Sequence, residues 1–216
     1  TLGDGNDVIT ATGVFGTGGS LDAGAGDDTI VMTAAQAATA TASATFAGKV
    51  SGLETLSVGA TAAATAINMA NADGMNIVSS AGFGHALTIT NAAAGFTFNQ
   101  SVLGSVASSI ALQNATGTAD TVNLGYSAAV GFSNTAAVTV AGVENINITT
   151  NDTSGAATVF GAEITAASAV TVTVSGDAGF NAGTGLSATT LTTFDASGVT
   201  GTGSAGAVTF TTGVLT

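Results

Sequence analysis

The stretch Gly3-Asp4-Gly5-Asn6-Asp7-Val8-Ile9 recurs further along the chain as Gly24-Ala25-Gly26-Asp27-Asp28-Thr29-Ile30. Both copies read G-x-G-x-D-x-[VI], the core of the nonapeptide G-G-x-G-x-D-x-U-x that repeats in parallel β-helices. The glycines permit positive φ angles, which turn backbone carbonyl oxygens inward. The aspartate then ends the turn, and the aliphatic residue begins a short strand that faces the interior. The pair therefore predicts two stacked coils of a parallel β-roll.

The same two turns predict a calcium site, because one turn supplies half of a coordination shell and a stacked copy supplies the rest. Ca²⁺ prefers carboxylate and backbone oxygens as ligands. Two full nonapeptides would separate equivalent positions by about 18 residues. Gly3 and Gly24 are further apart than that, and we assign the excess to the glycine-rich loop Gly16–Gly19. A degenerate turn, G-x-x-D-x-V-x-L at positions 117–124, adds one candidate. The predicted metal-binding residues are Gly3, Asp4, Gly5, Asp7, Asp22, Gly24, Gly26, Asp27, Asp28 and Asp120. The alternative is a pair of Gly-Asp hairpin turns that bind no metal.

Charge and composition narrow the range of partners. The chain has 216 residues and a formal net charge of −12, with 13 acidic residues against a single Lys. Five of the 13 acids lie between Asp4 and Asp28, so a divalent cation is the partner that this cluster favours. Nucleic acid is excluded, because phosphate binding needs a basic surface that the chain lacks. Hydrophobic residues make up 45% of the chain, which is too many for an acidic disordered tail.

Two further absences bear on the compartment and on the length of the protein. There is no cysteine, which fits secreted repeat proteins that use calcium in place of disulfides. No apolar run approaches the roughly 20 residues of a transmembrane helix, so we expect no transmembrane segment. The chain begins inside one repeat and ends on a strand-like segment, which predicts that it is part of a longer protein.

Beyond residue 33 the sequence predicts short strands with little helix. A short helix is expected at Ala34–Ala38, followed by extended chain. Eleven β-branched runs with period-2 alternation then predict strands, and they suit either a solenoid or a meandering sandwich. Two domains are predicted, a β-roll at 1–33 and a repetitive region at 34–216 with a duplicated module at about 50–124 and 140–216. The predicted strand runs are Glu54–Val58, Met75–Val78, Ala86–Thr90, Phe96–Phe98, Ser109–Leu112, Thr121–Leu124, Ala137–Val140, Asn145–Ile148, Val170–Val174, Leu191–Phe194 and Val208–Phe210.

The duplication rests on G-[LV]-E-[TN]-[LI]-[SN]-[VI], found at positions 52–58 and again at 142–148. The chain resembles the calcium-binding surface-layer proteins related to RTX proteins. The resemblance lies in this repeated motif, in the G-x-G-x-D turns, and in the segments TADTVNL (118–124) and LTTFDASG (191–198). The first glycine of each nonapeptide is replaced here, by Leu2 and Ala23. The resemblance implies an all-β, secreted, cell-surface protein that self-associates into a calcium-dependent two-dimensional lattice. It also implies type I secretion and contact with an outer-surface polysaccharide through a region outside this chain.

The sequence favours a structural, non-catalytic function. The chain has no G-x-S-x-G elbow that could form a catalytic triad with its single histidine, His85. His85 is therefore interpreted as a surface or strand histidine without a catalytic role. Asp152, Asp177 and Asp195 are interpreted as turn or capping residues, and Glu54 and Glu144 as strand-end carboxylates for which calcium ligation is the alternative. Two other functions stay open. One is a non-catalytic RTX module of a secreted enzyme, and the other is a calcium-dependent adhesin, including ice-binding types with Thr-x-Thr ladders.

Overall fold

A computed structural model describes residues 1–13, 18–134, 136–155, 158–183 and 186–211. Within these ranges it contains one α-helix, α1 (Ala34–Thr41), and two short 3₁₀ helices, Met69–Asn71 and Gly203–Gly206. Its strands are β1 (Val8–Thr10), β2 (Leu21–Asp22), β3 (Thr29–Met32), β4 (Val50–Ser51), β5 (Thr55–Val58), β6 (Thr65–Asn68), β7 (Ile77–Ser80), β8 (Leu87–Ala92), β9 (Phe96–Gln100), β10 (Ser108–Leu112), β11 (Thr121–Ala128), β12 (Val138–Ala141), β13 (Asn145–Asp152), β14 (Val159–Gly161), β15 (Ile164–Thr165), β16 (Thr171–Gly176), β17 (Gly179–Asn181), β18 (Leu186–Ser187), β19 (Thr193–Val199) and β20 (Val208–Thr209).

The strands wind into a parallel β-solenoid, in which each turn of the chain is here called a coil. Nine strands form the longest sheet in the order β1-β3-β5-β7-β9-β11-β13-β16-β19, and six form a second face in the order β18-β15-β12-β10-β8-β6. Short sheets, β2-β4 and β14-β17-β20, complete the first and last coils. Every strand pair in the described ranges is parallel. The parallel β-roll prediction is confirmed, and for residues 50 onward the structure selects the solenoid over the sandwich, whose meander would need antiparallel neighbours.

The core consists of columns of like residues that stack from coil to coil. Alternation along each strand sends every second side chain inward, and parallel pairing in register places that side chain on its equivalent in the next coil. The central inward column of the nine-stranded sheet is aliphatic or aromatic in its first eight strands and buried from its second member onward: Ile9, Ile30, Leu56, Val78, Phe98, Leu124, Ile148 and Val174. Opposite it, the six-stranded sheet contributes Ile67, Ile89, Ile110 and Val140. The fold is therefore held by a thin, continuous core.

Each of the eleven predicted strand runs overlaps a strand of the structure, and the helix is present. The expected extended chain after Ala38 is wrong, because α1 continues to Thr41 and turns follow up to β4. A capping box of Thr33 and Gln36 starts the helix, and its threonine hydroxyls donate to carbonyls one turn back, Thr41 to Ala37 at 2.9 Å. The loop Gly16–Gly19 lies partly outside the described residues, since Gly16 and Thr17 are not among them.

Candidate functional site

The two G-x-G-x-D turns stack directly at one corner of the first two coils. β1 pairs with β3 in the register Val8 to Thr29, and the Ala25 N–H donates to the Gly3 carbonyl oxygen at 3.2 Å. A Cβ added at Gly24 would collide with that same carbonyl oxygen, and one at Gly26 would lie 2.6 Å from the Gly5 oxygen. Both glycines have positive φ, +104° and +143°. The glycine pattern thus exists because the backbone of one coil lies against the backbone of the next.

A ladder of carboxylates runs along this corner, one residue before each of the first three strands of the long sheet, β1, β3 and β5. The Asp7 N–H donates to Asp28 Oδ1 at 2.7 Å, and the Asp28 N–H donates to Glu54 Oε2, also at 2.7 Å. Asp28 and Glu54 therefore each accept a hydrogen bond from the backbone of the acid in the coil before. Such charge-assisted bonds are about twice as strong as neutral ones. Three negative charges consequently lie on three successive coils.

Asp28 is the central carboxylate of this acidic ladder, and one of its two oxygens lacks a hydrogen-bond partner in the described ranges. Its side chain is 0% exposed, and Oδ2 has no hydrogen-bond partner within the described part of the chain. Burying an ionised carboxylate without a partner for each oxygen is costly. Around it the turns supply carboxylate and backbone oxygens, the donor type that Ca²⁺ takes. The residues at this corner are therefore compatible in chemistry with a calcium ion.

The structure adds polar residues that the predicted set of metal-binding residues does not include. Because Thr55 pairs with Ile77, Asn76 follows Glu54 in the acidic ladder, and Asn76 Oδ1 is buried without a partner in the described ranges. Asn6 Oδ1 accepts the Asp27 N–H at 3.0 Å and so links the two turns. The sequence signal for Asn76 is its position, since each residue of the acidic ladder directly precedes a strand of the long sheet.

The other predicted ligands lie around the same corner with lesser roles. Asp22 Oδ1 accepts a hydrogen bond from the Ser51 hydroxyl at 3.2 Å, which ties it to the third coil. Asp7 Oδ2 lies 3.4 Å from the Gly3 N–H and closes its own turn. Asp4 and Asp27 are exposed at the surface of the turns. Asp4, Asp22 and Asp27 thus add negative charge near the ladder, whereas Asp7 and Asp28 belong to it.

Asp120 lies several coils away and repeats the arrangement locally. Its Oδ2 accepts the Gly117 N–H at 3.0 Å, and its own N–H donates to Glu144 Oε2 at 3.0 Å. Glu54 and Glu144 are therefore equivalent, since each accepts a hydrogen bond from the backbone N–H of an aspartate one coil earlier. The glycine that stands two positions before each glutamate, Gly52 or Gly142, has positive φ, +65° and +66° respectively. This shared corner explains the G-[LV]-E motif that the sequence carries twice.

The remaining polar residues of interest have structural partners. His85 is exposed, and its Nδ1 lies 3.2 Å from the Thr61 carbonyl oxygen. Asp152 caps its own loop, and the backbone N–H of Ser154 is the main cause of the lowered pKa of its carboxyl group. No three His, Cys, Asp or Glu side chains within the described ranges are grouped closely enough to hold a metal ion by themselves. A metal at the acidic ladder would therefore depend on backbone oxygens.

No family model matches the chain, and no curated protein matches it. Among the described residues, no helix is both long enough and apolar enough to cross a membrane.

Proposed function

We propose that the corner formed by Gly3–Asp7 and Gly24–Asp28 binds Ca²⁺, and that the chain is a structural part of an extracellular surface layer. The observation that carries the calcium proposal is the buried Oδ2 of Asp28, which has no partner among the described residues. Asp7 and Asp28 would supply carboxylate oxygens, and the carbonyl groups of the two glycine turns would supply the rest. A bound cation would offset the negative charge of three successive coils and would stabilise their stacking.

Calcium titration of a matched pair of variants tests this site. Asp28→Asn removes the charge at the centre of the acidic ladder, whereas Asp195→Asn removes one from an exposed aspartate on β19, at the far end of the sheet. At a calcium concentration 100 times Kd, binding adds about 2.7 kcal/mol of stability. We expect calcium to raise the Tm of the parent chain and of Asp195→Asn but not that of Asp28→Asn. Equal calcium responses in all three proteins would reject the site.

The structural role is supported by the uniformity of the solenoid. Its outer faces are built from short neutral side chains, and its single histidine lies on the surface with a backbone partner. We expect the purified protein to order into sheets with calcium and to lose that order in excess chelator, as seen by electron microscopy. Sheets that form equally well in chelator would rule out calcium-dependent assembly. A catalytic domain encoded upstream would instead favour the module of a secreted enzyme.

One observation favours the adhesin as a second candidate. A column of hydroxyl side chains faces outward along five neighbouring strands of the six-stranded sheet: Thr88, Ser109, Thr139, Thr165 and Ser187. A regular array of this kind could order water or a polymer surface. It is a single column, however, because the next outward positions along these strands include Ala111 and Ala141. Measurement of thermal hysteresis distinguishes this function, since an inert structural solenoid produces none.

A further inference from the structure

Four asparagines of the chain stand in the triplet N-x-[ST], the acceptor pattern for N-linked glycosylation. The triplet requires an asparagine amide and a hydroxyl two residues later, with any residue except proline between them. So short a pattern also arises by chance, and the structure around each copy decides which one is usable. The four triplets begin at Asn99, Asn114, Asn147 and Asn151.

Three of these triplets begin inside strands of the long sheet. Asn99 belongs to β9, and Asn147 and Asn151 belong to β13. Both strands pair with a neighbour on each side. Their backbones are therefore held extended, and they can bend toward an enzyme only after the strand opens locally.

The amide groups of the three strand asparagines also lie against neighbouring coils. Asn147 Nδ2 donates to an amide oxygen of β11, and Asn151 Nδ2 donates to Ser127 Oγ of the same strand, both at 2.9 Å. Asn99 Oδ1 occupies the space that a Cβ on Gly125 would need. Glycosylation at any of these positions would disturb the outer surface of the sheet.

Asn114 stands in the loop between β10 and β11 and meets the requirements of the triplet. Asn114 and Thr116 are exposed, and the Thr116 hydroxyl donates to Asn114 Oδ1 at 2.7 Å. The amide and the hydroxyl of the triplet are thus side by side, whereas Asn147 and Thr149 are about 6.6 Å apart along β13. Asn114 Nδ2 has no hydrogen-bond partner in the described part of the chain, so this nitrogen is available for reaction.

Two contacts hold this loop against the solenoid and turn the triplet outward. The Gln113 N–H donates to the Ala92 carbonyl oxygen at 2.8 Å. Ala115 lies against Gly142, where an added Cβ would come within 2.9 Å of the alanine Cβ. Because the middle residue of the triplet faces the next coil, the amide and the hydroxyl on either side of it face solvent.

We infer that Asn114 is an acceptor for N-linked glycosylation. Its co-substrate is a sugar activated as a glycosyl diphosphate, carried by a nucleotide or by a lipid. A bond forms between Asn114 Nδ2 and the anomeric carbon of the sugar, and the bond from that carbon to the diphosphate oxygen breaks. The diphosphate leaves with the electron pair, and the amide nitrogen loses one proton to a base of the transferase. This inference goes beyond the proposed function and depends neither on calcium nor on assembly.

Sugar transfer to the folded chain tests the choice among the four triplets. The purified protein is incubated with UDP-glucose and a soluble N-glucosyltransferase that accepts N-x-[ST], and four short peptides with the same triplets give the rates without the fold. Sites are mapped by mass spectrometry after elastase digestion, because the chain has a single Lys and no Arg. Relative to its peptide, we expect Asn114 to react more than about tenfold faster than the strand asparagines, which must first open locally. Equal relative rates at all four sites would overturn the inference.

Variants of the hydroxyl provide a second readout. Thr116→Ala should abolish the modification of Asn114, and Thr116→Ser should retain it. Thr149→Ala, the matched change in β13, should leave it unaltered. The melting of both Thr116 variants should match that of the parent, since this side chain is exposed. Modification of Asn114 that persists in Thr116→Ala would contradict the assignment.

The protein isolated from the cells that make it provides the third readout. A single hexose on Asn114 identifies a nucleotide-linked donor, and an oligosaccharide identifies a lipid-linked donor. Asn114 without a sugar in that protein would overturn the inference. The calcium and assembly experiments are unaffected by this result, so the two proposals fail separately.

Discussion

Replacement of Gly52 by alanine should separate the coils at the acidic ladder. Gly52 has φ +65°, and an added Cβ would lie 2.6 Å from the Gly24 carbonyl oxygen and 2.8 Å from its nitrogen. The positive φ costs alanine about 1–2 kcal/mol, of which about 0.4–1 kcal/mol is recovered through the unfolded state. The steric overlap adds about 1–3 kcal/mol, as in other overpacked sites. We expect a total loss of about 2–4 kcal/mol.

Gly74 supplies a matched control. It has a similar φ, +75°, but an added Cβ would meet nothing within 4 Å. Gly74→Ala should therefore cost about 1 kcal/mol, the conformational term alone. The difference between the two variants isolates the close approach of neighbouring coils.

Native-state hydrogen exchange is the suitable assay, because a solenoid can open locally. The Ala23 N–H, which donates to the Ser51 carbonyl oxygen at 2.9 Å, reports the coil contact beside Gly52. Its exchange free energy should fall by about 1–3 kcal/mol more in Gly52→Ala than in Gly74→Ala. Losses that agree within about 0.5 kcal/mol, the usual scatter of independent sites, would refute the steric reasoning.

Three buried or capped polar groups give further tests. Asn134→Ala should lower stability by about 2–4 kcal/mol, since it removes the partner of the buried Gln100 Oε1 and of the Gly104 N–H. Urea denaturation measures this loss, and replacement of both amides by leucine should recover part of it. Burial raises the pKa of Tyr126 far above its ordinary value of 10.0. The folded protein should therefore lose stability as pH rises above 10, and its phenolate absorbance should appear only with unfolding, a clear signal because this is the sole tyrosine. The Ser154 N–H lowers the pKa of Asp152 below 3.8, so the contribution of this cap is present above pH 3.8 and is lost as pH falls through the lower value; NMR titration of its carboxyl carbon checks the direction.

Much of the architecture could be predicted from short segments of the sequence. Period-2 alternation indicated the strands, and the pair Gly3–Asp7 and Gly24–Asp28 indicated parallel stacking, because glycine and aspartate at those spacings act within a few residues of themselves. The helix at Ala34 was also local, although its length was underestimated. Its buried alanines pack against the solenoid, and its threonine hydroxyls bond back to the helix carbonyls.

The length of each coil could not be predicted from the sequence. The register between distant segments could not be predicted either, because it depends on coil length. Ile77 pairs with Thr97, whereas Thr29 pairs with Thr55, so the second of these coils is the longer one. With irregular spacing, the sequence does not show that Asn76 follows Glu54 in the acidic ladder. Register is decided by the summed burial of the inward columns, which no single coil specifies.

By itself, the sequence determined a glycine-aspartate turn, its oxygen-rich chemistry and a chain of short strands, since these depend on the conformational preferences of neighbouring residues. Only the tertiary structure decided that Asp28 is buried with one oxygen lacking a partner in the described ranges, and that Glu54 of the next coil accepts its backbone N–H. Both depend on which coil lies against which. The register between coils is set by packing over the whole solenoid, because burial of the core stabilises the stack as a unit.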